Sequence, residues 1–157
     1  MPYEIERKFL VTNNSWQSLA TDFDFLEQGY LFVNAQKTLR VRIINHKKAF
    51  LGFKAAIDAG LVRHEFEYEI PVEEAKTLLN KYSEFPPIIK KRFKFLYAQF
   101  IWEIDVFEGA NTGLIVAEVE LPTPETKIEL PNWVGLEITT DAKYFNAALS
   151  VKPYNTW

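Results

Sequence analysis

Nine stretches of this chain alternate apolar and polar residues with a period of two, and the polar positions are mostly charged. They are YEIERKFLV (3–11), QGYLFV (28–33), TLRVRII (38–44), KAFLGFKAA (48–56), VRHEFEYEIP (62–71), IIKKRFKFLY (88–97), FIWEIDVFEG (100–109), LIVAEVELP (114–122) and, more weakly, GLEITTD (135–141). Period two is the mark of strands with two unlike faces. NAQK (34–37), IDAG (57–60), EFPP (84–87) and GANTG (109–113) read as turns between them. Helical spacing is confined to SWQSLATDF (15–23, Ser15 as N-cap), PVEEAKTLLNKYS (71–83, with Pro71 near its start) and TDAKYFNAALS (140–150, capped by Thr140 or Asp141). So many strands with so few helices predict a mainly β (α+β) protein, a single antiparallel barrel or strongly curved sheet.

Composition narrows the functions open to such a sheet. At 157 residues the chain is expected to be one domain, 1–157, large enough to bury a core. It is 48% hydrophobic and carries a net charge of only −3, so no global attraction to nucleic acid or to a membrane surface is expected. The absence of cysteine excludes disulfides, thiolate metal sites and Cys nucleophiles, and two His make zinc ligation a poor fit. A metal would be a hard cation on carboxylates. With no signal peptide and no apolar run near membrane length, the expected location is the cytoplasm. No glycine-rich phosphate loop is present.

One face of the strands collects the charge. It carries Glu4, Glu6 and Lys8, then Arg40 and Arg42, Lys54, and Arg63, Glu65, Glu67 and Glu69. Lys90, Arg92 and Lys94 follow, then Glu103 and Asp105, and finally Glu118 and Glu120. The alternate face is largely apolar, with Ile5, Val41, Phe53, Phe93, Trp102, Ile104 and Val119 among its residues. A one-sided sheet with its polar face in water is the plain explanation. Solvated faces, however, mix in Ser, Thr and Gln and scatter their charges. Here like charges repeat at i and i+2, roughly 6.5–7 Å apart. Such rows suit a wet barrel interior, where cations neutralise the acids and an anion neutralises the bases. Acidic strands could hold Mg²⁺ or Mn²⁺, and arginines suit forked bonding to phosphate. Metal and bases around one elongated anion is what phosphoryl transfer requires.

EIERKF resembles the ExExK motif of the CYTH superfamily, the triphosphate tunnel metalloenzymes. QGYL (28–31), TLRVR (38–42), GFK (52–54), HEFEYEI (64–70), KKRF (90–93), WEIDVFEG (102–109), AEVEL (117–121) and GLEITTDAKYFNAAL (135–149) follow in order, so the likeness spans nearly the whole chain and is greatest to the small single-domain bacterial members. The resemblance implies an eight-stranded antiparallel tunnel with helices packed outside, acting on a triphosphate with a divalent metal, Mg²⁺ or Mn²⁺. It implies Glu4, Glu6, Glu118 and Glu120 as metal carboxylates, with Asp105 a further contributor. Lys8, Arg40, Arg42, Lys54 and Arg92 would bind triphosphate, joined by Lys90. Glu65 and Glu67 would orient the bases or assist a second metal, and Lys143 matches a basic position of unassigned role. The Lys–Tyr pair proposed to activate water in similar members would here be Lys8 and Tyr30.

The function expected is therefore metal-assisted hydrolysis of a terminal phosphoanhydride, with inorganic triphosphate as the leading substrate. Thiamine or nucleoside triphosphatase, class IV adenylate cyclase and a non-catalytic polyphosphate-binding module are the alternatives. A carrier of apolar molecules fits the charged face poorly. The partner expected is a small-molecule triphosphate rather than nucleic acid or membrane, and a homodimer is left open. Lys8 could serve as a base only with a depressed pKa, which Arg40 and Arg42 would favour and Glu4 and Glu6 oppose. His46, His64 and the four Trp read as structural.

Overall fold

The computed structural model describes residues 3–57 and 62–157. Its strands are β1 (Tyr3–Val11), β2 (Phe23–Val33), β3 (Lys37–Ile44), β4 (Lys48–Ala56), β5 (Val62–Ile70), β6 (Ile88–Tyr97), β7 (Phe100–Phe107), β8 (Ile115–Glu120) and β9 (Val134–Glu137). They form one antiparallel sheet in the order β5-β4-β3-β2-β6-β7-β8-β1, and β1 pairs back onto β5 to close an eight-stranded barrel. Closure runs through Tyr3↔His64, Glu4↔Arg63 and Ile5↔Val62. Farther along the same edge of β1, β9 takes over with Phe9↔Glu137 and Val11↔Val134. Closing the sheet gives the charged face an inside to point into, and the alternation in each strand settles which residues go there.

The apolar outer face is buried in patches. Phe9, Trp16, Phe95, Trp102, Ile104, Val119 and Trp133 form one cluster, with Trp102 and Trp133 edge to face at 5.1 Å. A second patch joins Val41, Ile43 and Ala49 of the sheet to Ala75 and Leu79 of helix α1 (Val72–Tyr82). Glu73 and Glu74 in the first turn of α1 complement its dipole, and Pro71 precedes it without a side-chain cap. The helix lies close to the barrel at Gly29, where a Cβ would come within 2.5 Å of Ser83 Oγ and 2.7 Å of Leu79 Cδ2.

The expectations for two segments change. Residues 15–23 form only a short 3-10 turn, Ser15–Leu19, before the chain enters β2 at Phe23. Ser15 does not cap it; its amide and hydroxyl both donate to Asn13 Oδ1. Residues 140–150 divide at Phe145 into a 3-10 turn, Ala142–Tyr144, and helix α2, Asn146–Val151. Neither Thr140 nor Asp141 provides a side-chain cap. The turn expected at IDAG lies mostly outside the described residues. No described helix is long and apolar enough to cross a membrane.

The interior is also not charged throughout. On the face that holds Gln28, Lys90, Asp105 and Glu118, the next inward positions toward one end are Tyr30, Ile88, Phe107 and Val116. These pack with Leu114, with Ile138 and with Leu149 of α2. The C-terminal segment thus stoppers part of one barrel end with an apolar plug.

Candidate active site

The basic side is built by β3, β4 and β6. Arg40 is buried at 6% exposure, and its Nη2 reaches Glu67 Oε2 of β5 at 3.5 Å. Arg42 Nε donates to Gln28 Oε1 at 3.0 Å. Burial first, then the neighbouring guanidinium groups of Arg40 and Arg92, push the pKa of Arg42 down to about 9. Crowding buried cations in this way favours a polyanion that would neutralise them. Lys54 of β4 lies 2.9 Å from Glu4 Oε2 and donates to Oε1 at 3.0 Å, which ties the basic wall to the acidic one.

The acidic side is built where β1, β7 and β8 adjoin, with Glu6↔Glu120, Lys8↔Glu118 and Glu103↔Glu118 as neighbours across the ladders. Lys8, 5% exposed, sits between Glu6 Oε1 at 3.5 Å and Glu118 Oε1 at 3.6 Å. Burial acts to lower its pKa, but Glu118 and Glu6 outweigh it and hold Lys8 raised, as an ammonium. Glu120 is pushed up by burial and then by Glu4, Glu6 and Glu103, and Glu103 by burial with Glu118 and Asp105 adding to it. In donor type this cluster of carboxylate oxygens, crowded enough to push Glu103 and Glu120 up, fits a hard divalent cation. Among the described residues no three carboxylates or imidazoles already stand as a finished coordination shell. The fit therefore lies in donor type and charge, with side-chain rotation needed to complete a shell.

Asp105, Lys90 and Arg92 form a separate ion cluster between these walls. Asp105 and Lys90 are both 0% exposed. Asp105 Oδ1 accepts from Arg92 Nε at 2.7 Å, while Oδ2 accepts from Arg92 Nη2 at 2.8 Å and from Lys90 Nζ at 2.6 Å. Burial opposes the Asp105 charge, but Arg92 and Lys90 hold its carboxyl far below the usual range. Lys90 is pushed down to about 7, chiefly by burial, with Arg92 and Arg42 adding to it against Asp105. Both Asp105 oxygens are thus committed to protein cations, which makes it a hub that aims Arg92 toward Glu103 at 3.5 Å and Glu118 at 3.7 Å.

A cavity of about 1140 Å³ opens beside these groups, reached by Lys8, Arg40, Lys54 and Arg63 and walled on another side by Phe145 and small residues of the C-terminal segment. Tyr30 lines the same cavity from the edge of the apolar plug, while the Lys8 ammonium makes its contacts with Glu6, Glu118 and the Phe145 ring. Glu65 is the neighbour of Lys54 across the β4–β5 ladder. Lys143 stands apart, exposed, with its ammonium 4.8 Å from the Trp157 ring.

Sequence reading gave no role to several residues that the fold brings in. Arg63, on the charged face, lies with its guanidinium 4.9 Å from the Phe145 ring. Gln28, fully buried, holds Arg42; its parity relative to Tyr30 was the available signal. Asn146 accepts from Lys90 at 3.3 Å. Phe145 and Asn146 lie outside any alternating strand, so no sequence pattern placed them at the tunnel.

A charged barrel interior of this kind defines a class, and the chain belongs to the CYTH domain family, which matches residues 2–149. It is 42% identical to an inorganic triphosphatase of Acetivibrio thermocellus over all of this chain and 99% of that protein. It is 32% identical to an inorganic triphosphatase of Nitrosomonas europaea over 94% of this chain and 97% of that one. A crystal structure of an inorganic triphosphatase superposes with a TM-score of 0.66 at 30% identity, covering 97% of each chain.

Proposed function

We propose that this protein is a divalent-metal-dependent hydrolase of triphosphates, with inorganic triphosphate as its main substrate. The observation that carries the proposal is the convergence of Lys8, Arg40 and Lys54 on one cavity, with Lys8 reaching back to Glu6 and Glu118 of a carboxylate cluster crowded enough to push Glu120 up. Full-length likeness to two inorganic triphosphatases supports the same substrate.

In the proposed reaction Arg40, Arg42, Lys54 and Arg92 bind the phosphate chain and offset charge on its oxygens as the transition state develops. Water attacks the terminal phosphorus in line, a P–O bond to water forms, and the bridging P–O bond breaks to release orthophosphate and pyrophosphate, the water's proton passing to a phosphate oxygen. Glu4, Glu6, Glu118 and Glu120 would hold Mg²⁺ or Mn²⁺, which supplies Lewis-acid stabilisation of the reacting oxygens when bound. Lys8, set between Glu6 and Glu118 and lining the cavity, acts as an electrostatic clamp on the substrate. Asp105 acts through Arg92 and Lys90, and Glu67 steadies Arg40. Gln28 does the same for Arg42.

Phosphate release from tripolyphosphate, ATP and thiamine triphosphate, each with Mg²⁺ or Mn²⁺, tests this reading. Preferred turnover of tripolyphosphate is expected; tight binding without turnover refutes an enzyme. A second reading, turnover of organic triphosphates, is favoured by the cavity wall of Phe145 and small apolar residues, which exceeds what a bare triphosphate fills. Comparable rates on ATP or thiamine triphosphate in the same panel would support it.

A further inference from the structure

The backbone amide and carbonyl of Lys8 face the same edge of β1 as β5 does, beyond the last described β5 pair, Ile5↔Val62. The carbonyl accepts from the amide of Ile138 at 2.8 Å, but among the described residues the amide has no ladder carbonyl there. β9 ends at Glu137, and the chain turns as the Asp141 amide donates to the Ile138 carbonyl. The Lys8 amide donates instead to the hydroxyl of Thr139, at 3.0 Å and out of water. A threonine hydroxyl has one proton, and here it goes to Glu137 Oε2 at 2.6 Å, which leaves a lone pair aimed at Lys8. Glu137 is in turn held by the Arg7 fork, with Nη2 at 2.6 Å from Oε1 and Nε at 2.9 Å from Oε2. The chain of bonds runs from the outer surface of the barrel to the strand position that carries the Lys8 side chain inward.

We propose that Thr139, oriented by Glu137 and Arg7, is a positioning residue for Lys8. It fixes the backbone at the seam where two strands part, and so sets where the ammonium stands between Glu6 and Glu118. The inference rests on the assignment of Lys8 to the triphosphate site. The segment after Thr139 also carries Phe145, whose ring lies 5.6 Å from Lys8 Nζ, so one stretch of chain restrains both ends of this residue. An ordinary seam patch would stabilise the fold without favouring one placement of the ammonium. The two roles part in their effect on turnover.

Thr139→Val removes the hydroxyl and keeps the shape, while Thr139→Ser keeps the hydroxyl. A misplacement of about 1 Å can reduce turnover by ~100-fold, so Thr139→Val is expected to lower kcat/KM for tripolyphosphate by ~10- to 100-fold, with Thr139→Ser recovering most of the loss. Metal-free calorimetry with tripolyphosphate should show weaker binding for Thr139→Val, and no further weakening when it is added to Lys8→Ala. If Thr139→Val does not fold, Glu137→Gln addresses the same relay from its exposed end, with a several-fold loss of kcat/KM and little change in Tm expected. Positioning is overturned by wild-type kcat/KM in Thr139→Val (or in Glu137→Gln if it must stand in), by a Ser variant as poor as Val, or by losses that multiply in the double variant. Full turnover in Lys8→Ala overturns the underlying assignment of Lys8 as well; an inactive Lys8→Ala beside a fully active Thr139→Val overturns positioning alone.

Discussion

Asp105→Asn removes one charge from a place where water cannot replace it. The carboxylate, 0% exposed, accepts three short hydrogen bonds from Arg92 and Lys90. Removing one partner from a buried ion pair typically costs about 3–5 kcal/mol because the other is left uncompensated. Lys90 escapes part of that penalty, since its pKa of about 7 lets it shed the proton. Arg92 cannot deprotonate, but it keeps Glu103 and Glu118 within 3.5 and 3.7 Å. The loss therefore belongs near the lower end, about 3 kcal/mol, or roughly 6–12 °C in Tm for a domain of this size. Urea unfolding should show a lower midpoint with the slope unchanged. Lys90→Met/Asp105→Asn should lose less than the two single losses added, because the stranded ammonium is gone. An unfolding free energy within about 1 kcal/mol of wild type would refute the ion-hub reading. Intact stability with weakened Mg²⁺ binding would return Asp105 to the metal ligands.

Other perturbations separate the remaining parts. Glu118→Ala should lower metal-dependent tripolyphosphate hydrolysis by orders of magnitude, read as phosphate release across a Mg²⁺ titration, and near-normal turnover would remove Glu118 from the metal site. Gly29→Ala should destabilise by about 1–3 kcal/mol in thermal melts, since its Cβ meets Leu79 and Ser83 of the α1 region at clashing distance. The Glu137 carboxyl is held below its ordinary 4.5, first by its hydrogen bond with Arg7. Its stabilisation is therefore present above about pH 4.5 and lost as pH falls through the lowered folded value. Arg7→Met should flatten the acid limb of a stability–pH curve in that window, and an unchanged limb would contradict the pairing.

Much of the barrel is legible in the sequence because parity is a local property. The alternation of Glu4, Glu6 and Lys8, or of Arg40 and Arg42, assigns a face before any partner strand is known, and most strands form where the pattern places them, although β2 begins five residues earlier, at Phe23. Parity could not show where along the interior the charge stops: Tyr30, Ile88, Phe107 and Val116 share the inward face, yet their role as a plug depends on Ile138 and Leu149 arriving from elsewhere. It also could not show that both oxygens of Asp105 are taken by Arg92 and Lys90, because the β6–β7 register (Arg92↔Asp105) is a tertiary fact. The helix expected over 15–23 fails for a similar reason. Phe23 pairs with Phe93 as the start of β2, and that pairing overrides a local helical spacing.

The way β1 is held bears on the order of assembly. Its partners are β5, β8 and β9, all distant in sequence, with the Lys8–Thr139 bond spanning a separation of 131 residues, while β2 to β5 pair in turn with one another. Contacts so distant are slow to form, because loop entropy is lost before any pairing rewards it. The meander of β2–β5 can therefore assemble early as an open sheet. Its charged concave side closes into a tunnel only when the last strands bring β1 home, so the cavity that Lys8 shares with Arg40 and Lys54 is completed by that final, long-range step.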